Sequence, residues 1–143
     1  MAGTVLVRDI MSKDVRVVRP DSSVKEVVAT MNKFNIGSIV VVQGARPVGI
    51  ISERDILRRV VEACLAPETL TARQVMTSPV VTIRETASID EAAKLMAKKK
   101  VKKLPVMNKE ELVGIVTFTD IVANVPTMLS ILEELVRPYH RSY

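Results

Sequence analysis

An α+β fold is predicted: two copies of one β-α-β-β-α unit, packed about a pseudo-twofold axis, with a C-terminal helix beyond them. Three observations predict it. Residues 49–55 read GIISERD and residues 114–120 read GIVTFTD, 65 positions later. The same shift matches residues 8–60 to residues 73–125 without a gap. Arg8, Met11, Val15, Arg19, Ser23, Glu26, Met31, Lys33, Val41, Gly49, Ile50 and Asp55 each meet an identical residue. Finally, each copy carries one apolar stripe at helical spacing between short extended runs. A chance likeness between Val-rich strands would not hold its register across loops, so the match marks a tandem duplication.

Each unit opens on a short extended stretch, DVRVV at residues 14–18 and PVVTI at residues 79–83. A helix start follows, Ser23 with Glu26 and Ser88 with Glu91, at capping-box spacing. Val24, Val27, Val28 and Met31 then recur at i, i+3, i+4, i+7, as do Ile89, Ala92, Ala93 and Met96. Two strands come next, SIVVV and PVGIIS in the first copy, LPVMN and LVGIVT in the second. Residues 43–46 and 108–111 are polar joints short enough for hairpins. A second helix closes each copy, RDILRRVVEAC and TDIVANV. The organisation expected is residues 1–66, residues 67–126, and a helical tail over residues 127–143, with Pro67 and its neighbours as the linker. In the tail Met128, Ile131, Leu132 and Leu135 fall on one stripe, and Pro138 ends the helix. One copy alone is too small to bury its core well, so the second must cover it.

Composition narrows the function. The chain has 143 residues, 48% of them hydrophobic and only 3% aromatic, so the core is built from Val, Ile, Leu, Met and Ala. Met11, Met31, Met76 and Met96 are expected in it. No apolar run approaches the roughly 20 residues that cross a bilayer, and no apolar stretch follows a basic start, so neither membrane nor signal peptide is expected. Cys64 is the single cysteine and His140 the single histidine. That removes an internal disulfide and a cysteine or histidine metal cluster, fits a cytoplasmic location, and makes Cys64 a small residue expected to be buried. Lys and Arg number 21 against 16 Asp and Glu, a net charge of +5 with a pI near 9.6. Such a balance favours anionic partners. The even spread of the bases and the scarcity of aromatic stacking platforms weigh against nucleic acid. Lys98, Lys99 and Lys100 read as a solvated helix end, and Arg58 and Arg59 as surface residues.

The repeated heptapeptide has two readings. A Ser or Thr after a strand, three residues before an acid, is a helix N-cap: Ser52 with Asp55, Thr117 with Asp120. The same geometry can bind a ligand. A helix start offers free N–H groups to a phosphate, the hydroxyl adds a hydrogen bond, and a carboxylate can accept from both hydroxyls of a ribose. Gly49 and Gly114 permit a close approach to the backbone. Arg54 lies inside the first closure and can reach a phosphate, where the second copy has Thr119, so the two sites should be unequal. No histidine stands ready as a base beside a nucleophile, and no Gly-rich phosphate loop with a Lys is present, so an enzyme is not expected.

The whole pattern resembles a tandem pair of cystathionine-beta-synthase (CBS) domains, a Bateman module. The resemblance covers residues 4–126. It is carried by the NIGS and KKLPV stretches before the strands and by the closures VGIISERDIL and VGIVTFTDIV. The resemblance implies two clefts between the units that take adenosine-containing ligands. It implies that Ser52, Asp55, Thr117 and Asp120 hold phosphate and ribose. It assigns a phosphate to Lys102 and Lys103, whose first-copy counterparts Gly37 and Ser38 lack charge. It lays adenine against the backbone at Asp14 and Val15, or at Pro79 and Val80.

The function expected is a regulatory sensor of AMP, ADP or ATP, without a cofactor, acting in trans on an unidentified effector protein because the sequence carries no effector domain of its own. An S-adenosylmethionine module and a nucleic-acid-binding protein are the alternatives. Arg54 and Lys103 favour a ligand with phosphate over S-adenosylmethionine. A homodimer is expected, through apolar stripes on the closing helices and the tail.

Overall fold

A computed structural model of the chain describes residues 5–124. The tail at residues 127–143, with its stripe and its helix, lies outside the described residues. Two three-stranded sheets form the frame. In the first unit the elements are α1 (Val7–Ile10), β1 (Val17–Val18), α2 (Val24–Lys33), β2 (Ser38–Gln43), β3 (Arg46–Ser52) and α3 (Glu53–Ile56). The second unit repeats them as α4 (Ala72–Val75), β4 (Ile83–Arg84), α5 (Ile89–Lys99), β5 (Lys103–Asn108), β6 (Glu111–Thr117) and α6 (Phe118–Ala123). β1 runs parallel to β2, which pairs antiparallel with β3; β4, β5 and β6 do the same. Both hairpins shift register at the same place, Val41/Val42 and Val106/Met107, so the duplication extends to an irregularity of the ladder.

The capping hydroxyls act as the spacing predicts. Ser23 Oγ accepts from the Glu26 amide and Ser88 Oγ from the Glu91 amide, both at 3.1 Å. The glutamates do not reach back, so these are N-caps rather than full boxes. Val24, Val27 and Met31 are buried on α2, and Ile89, Ala92 and Met96 on α5. Ala93 stays exposed; Leu95 packs against the core in its place.

One correction concerns a single residue. Cys64 is exposed, because the chain turns there through a left-handed backbone (φ 58°) after a π turn at Leu57–Val61 that continues α3. Arg59 is exposed, as expected, but its guanidinium also reaches back to the Val75 carbonyl.

The short helices ahead of each unit change places. Val7, fully buried, packs with Ile83, Ala92, Leu104, Val106 and Val116 of the second unit. Its amide donates to the Ala87 carbonyl at 2.8 Å, and Leu6 bridges to Ser88. Conversely, Ala72 and Val75 of α4 complete the core of Val24, Val27, Ile39, Val41 and Ile51 in the first unit, and Ser23 bridges to Thr71. Met76 lies under Gly49 and Met11 under Gly114, so closely that a Cβ on either glycine would collide with the sulfur-bearing side chain. The close approach that these glycines permit is thus taken by a methionine of the lead-in segment. β3 packs on β6 between the sheets, and the Leu112 amide donates to the Ala45 carbonyl across the two hairpins at 3.1 Å. Among the described residues no helix is long and apolar enough to cross a membrane.

Candidate functional site

The lead-in segments decide which residues share a cleft. Ser12 and Ile115 exchange both backbone hydrogen bonds at 2.9 Å, so the first lead-in meets β6 antiparallel at Ser12. Ile50 and Thr77 do likewise at 3.0 and 2.8 Å, so the second lead-in meets β3 antiparallel at Thr77. Each cleft is therefore composite. The closure Ser52–Asp55 of the first unit meets Thr77, two residues before Pro79, through Asp55. The closure Thr117–Asp120 follows β6, which pairs with Ser12, two residues before Asp14. Pro79 and Val80 line a cleft of about 1130 Å³ with Arg46, Val48, Arg84 and Lys109; Ser52, Arg54 and Asp55 are not among the residues that line it. Asp14 is exposed and paired with Arg16 at 3.3 Å; Val15 is half-buried.

The second closure is a capping box with spare capacity. The Thr117 amide donates to Asp120 Oδ2 at 2.9 Å, and Thr117 Oγ1 accepts from the Asp120 amide at 3.1 Å. Among the described residues, Asp120 Oδ1 accepts no hydrogen bond. Lys103 is the register partner of Thr117, and the Lys102 carbonyl accepts from the Phe118 amide at 2.8 Å. Two lysines thus adjoin the start of α6 in the sequence and the ladder, at the end of the helix where the dipole favours anions. Thr119 is exposed beside them.

The first closure is built alike and used differently. Asp55 is buried. Its Oδ2 accepts from the Ser52 amide at 2.9 Å and from the Ser52 hydroxyl at 3.1 Å. Its Oδ1 accepts from the Thr77 hydroxyl at 3.0 Å and lies 3.5 Å from Arg59 Nη1. Both oxygens are occupied from within the chain. At the strand start, the Glu53 carboxylate lies against Gly37, in the place where the second copy puts Lys102. The buried Ser38 hydroxyl, opposite Ser52, has no protein partner among the described residues. Arg54 is exposed on the first turn of α3.

Sequence reasoning missed Arg59, Thr77 and Glu53. The signal was present in the repeat: their counterparts 65 positions away are Asn124, Ser12 and Phe118, substitutions that alter charge or reach in an otherwise conservative match.

Comparison with known proteins agrees with this architecture. A family model described as CBS domain matches residues 7–62 and again residues 72–126. An uncharacterized protein of Methanopyrus kandleri is 34% identical over 138 residues, 95% of this chain and 70% of that protein. The crystal structure of Hypoxic Response Protein I with two coordinated zinc ions superposes with a TM-score of 0.78 at 30% identity, covering 85% of this chain and 100% of that one. A CBS domain pair solved in complex with 5'-methylthioadenosine and S-adenosyl-L-methionine superposes with a TM-score of 0.74 at 30% identity, covering 83% and 94%.

Proposed function

The chain belongs to the CBS domain family, and from that premise we propose that it is a non-catalytic regulatory module binding AMP, ADP or ATP in the cleft closed by Thr117 and Asp120. One observation carries the choice of cleft: Asp120 keeps a carboxylate oxygen without a partner among the described residues, beside Lys103. A ribose hydroxyl donates to that oxygen. The phosphate meets Lys102 and Lys103 at the positive end of α6, and adenine lies along Asp14 and Val15. In the first cleft the corresponding places belong to Ser52, Arg54, Asp55, Pro79 and Val80. There Glu53 opposes a phosphate instead of attracting it.

Because residues 12–15 and β6 belong to different units, a ligand between them favours one inter-unit arrangement over others. That arrangement is what a partner protein would read in trans. A homodimer supplies one such surface. Leu57 and Val61 are each 60% exposed and Leu65 is 48% exposed, at i, i+4, i+8.

A second reading has support in the neighbour solved with 5'-methylthioadenosine and S-adenosyl-L-methionine, two adenosine ligands without phosphate. Melting of the full chain against AMP, ADP, ATP and S-adenosylmethionine separates the two. A native-state ligand raises Tm by mass action. A nucleotide response that disappears in Lys102→Ala/Lys103→Ala supports the phosphate ligand. A response to S-adenosylmethionine alone, indifferent to both lysines, establishes the second reading instead.

A further inference from the structure

Arg59 uses a single nitrogen for four contacts. Its Nη1 donates to the Val75 carbonyl at 2.8 Å, to the Met76 carbonyl at 3.0 Å and to Thr77 Oγ1 at 3.2 Å, and lies 3.5 Å from Asp55 Oδ1. Thr77 in turn donates to the same Asp55 oxygen. The result is a closed network joining α3 of the first unit to the lead-in of the second. The carboxylate at its centre is the one whose copy, Asp120, stands ready for a ribose.

The duplication supplies an internal control. Asn124 replaces Arg59, and among the described residues its amide group bonds only the Asp120 carbonyl of its own helix, at 2.8 Å. Ser12 replaces Thr77 and makes no side-chain bond to Asp120. The backbone pairing of the lead-in is the same in both halves, Ile50 with Thr77 and Ser12 with Ile115. The difference therefore lies in the side chains alone.

We infer that Arg59 is a positioning residue that reserves the ligand for the second cleft: it braces Asp55 against residues 75–77, so the first cleft has no ribose acceptor until the brace is released. The inference rests on the adenine-nucleotide reading for its ligand but not for the brace. A ribose hydroxyl approaching Asp55 must displace Thr77 or Arg59, whereas one approaching Asp120 displaces no side chain among the described residues. The apparent affinity of the first cleft falls by the fraction of time the brace is open.

The test gives the first copy the residue of the second. Arg59→Asn is titrated calorimetrically with AMP and with ATP beside the wild type, and amide exchange at Ile50 and Thr77 is compared with exchange at Ser12 and Ile115. The wild type should take one equivalent, lost in Asp120→Asn. Arg59→Asn should take a second equivalent, its first-cleft affinity raised about tenfold or more, and should speed exchange at Ile50 and Thr77 while leaving Ser12 and Ile115 unchanged. Arg59→Ala, which removes the bonding nitrogen without adding an amide, should behave as Arg59→Asn. Faster exchange without a second equivalent overturns the reservation of the ligand. Unchanged exchange overturns the brace itself. If neither protein takes nucleotide, the adenine-nucleotide reading fails with the reservation, and the brace stands or falls on the exchange result.

Discussion

Val7→Ala should destabilise the second unit, although Val7 precedes every strand of the first. Val7 is 0% exposed, among Ile83, Ala92, Leu104, Val106 and Val116. The substitution removes two methyl groups from that contact. At about 0.8 kcal/mol for each buried methyl or methylene, the transfer loss is about 1.6 kcal/mol. The cavity left behind adds to this wherever the walls fail to close, for a total of about 2–3 kcal/mol. The backbone is untouched: the bonds of residues 7 and 8 to Ala87 and Glu85 need no side chain. The effect is therefore one of packing.

Urea unfolding of the full chain measures it, with the exposed neighbour Arg8→Ala as the control, expected within about 0.5 kcal/mol of the wild type. The unfolding slope should not change, because the surface exposed on unfolding hardly does. A loss below about 0.5 kcal/mol for Val7→Ala, equal to the control, would refute the claim that the first lead-in completes the second core.

Asp120→Asn keeps an oxygen for the Thr117 amide but removes the charged acceptor. Nucleotide affinity should fall by roughly 1.5–3 kcal/mol with little change in Tm, as read by calorimetric titration; unchanged affinity would remove Asp120 from the site. Gly114→Ala drives a Cβ to within 2.9 Å of the Ser12 carbonyl and against Met11, and should cost about 1–3 kcal/mol in urea unfolding. Gly44→Ala, with open space but φ +66°, should cost about 1–2 kcal/mol through backbone strain alone. Leu57→Lys/Val61→Lys should turn a dimer into a monomer in light scattering while retaining the melting transition. A double variant that still dimerises would move the interface away from this stripe.

The repeat made the elements legible because ungapped identity, period and turn chemistry all agreed. Ser23 and Ser88 stand where a cap was expected, and the hairpins turn at Gly44 and Lys109, both with positive φ. The exchange of lead-ins was hidden. Val7 and Ala72 are apolar in either arrangement, and a sequence pattern records that a residue is buried, not which unit buries it. The asymmetry of the closures was half legible. The charge contrast at residues 37–38 and 102–103 is plain in the sequence, whereas Arg59 looks like any exposed arginine on a helix. Only its reach to three acceptors at residues 75–77 gives it a role.

The exchange of lead-ins has a consequence for how such a module can signal. Were each closure to meet only its own unit's segments, a bound ligand would stiffen one half and leave the other unaware of it. Here Ser12 belongs by sequence to the first unit but pairs with β6, and Thr77 belongs to the second but pairs with β3. Any ligand spanning a closure and the strand beside it makes contact with both halves of the chain. Its differential affinity then bears on how the halves sit together, which is the only way a ligand can move such an equilibrium. The cores reinforce the coupling, since Val7 and Val75 are each buried in the unit that follows or precedes their own. Side chains add to that coupling at the first closure, where Arg59 bonds residues 75–77, whereas no side chain among the described residues ties Asp120 to Ser12.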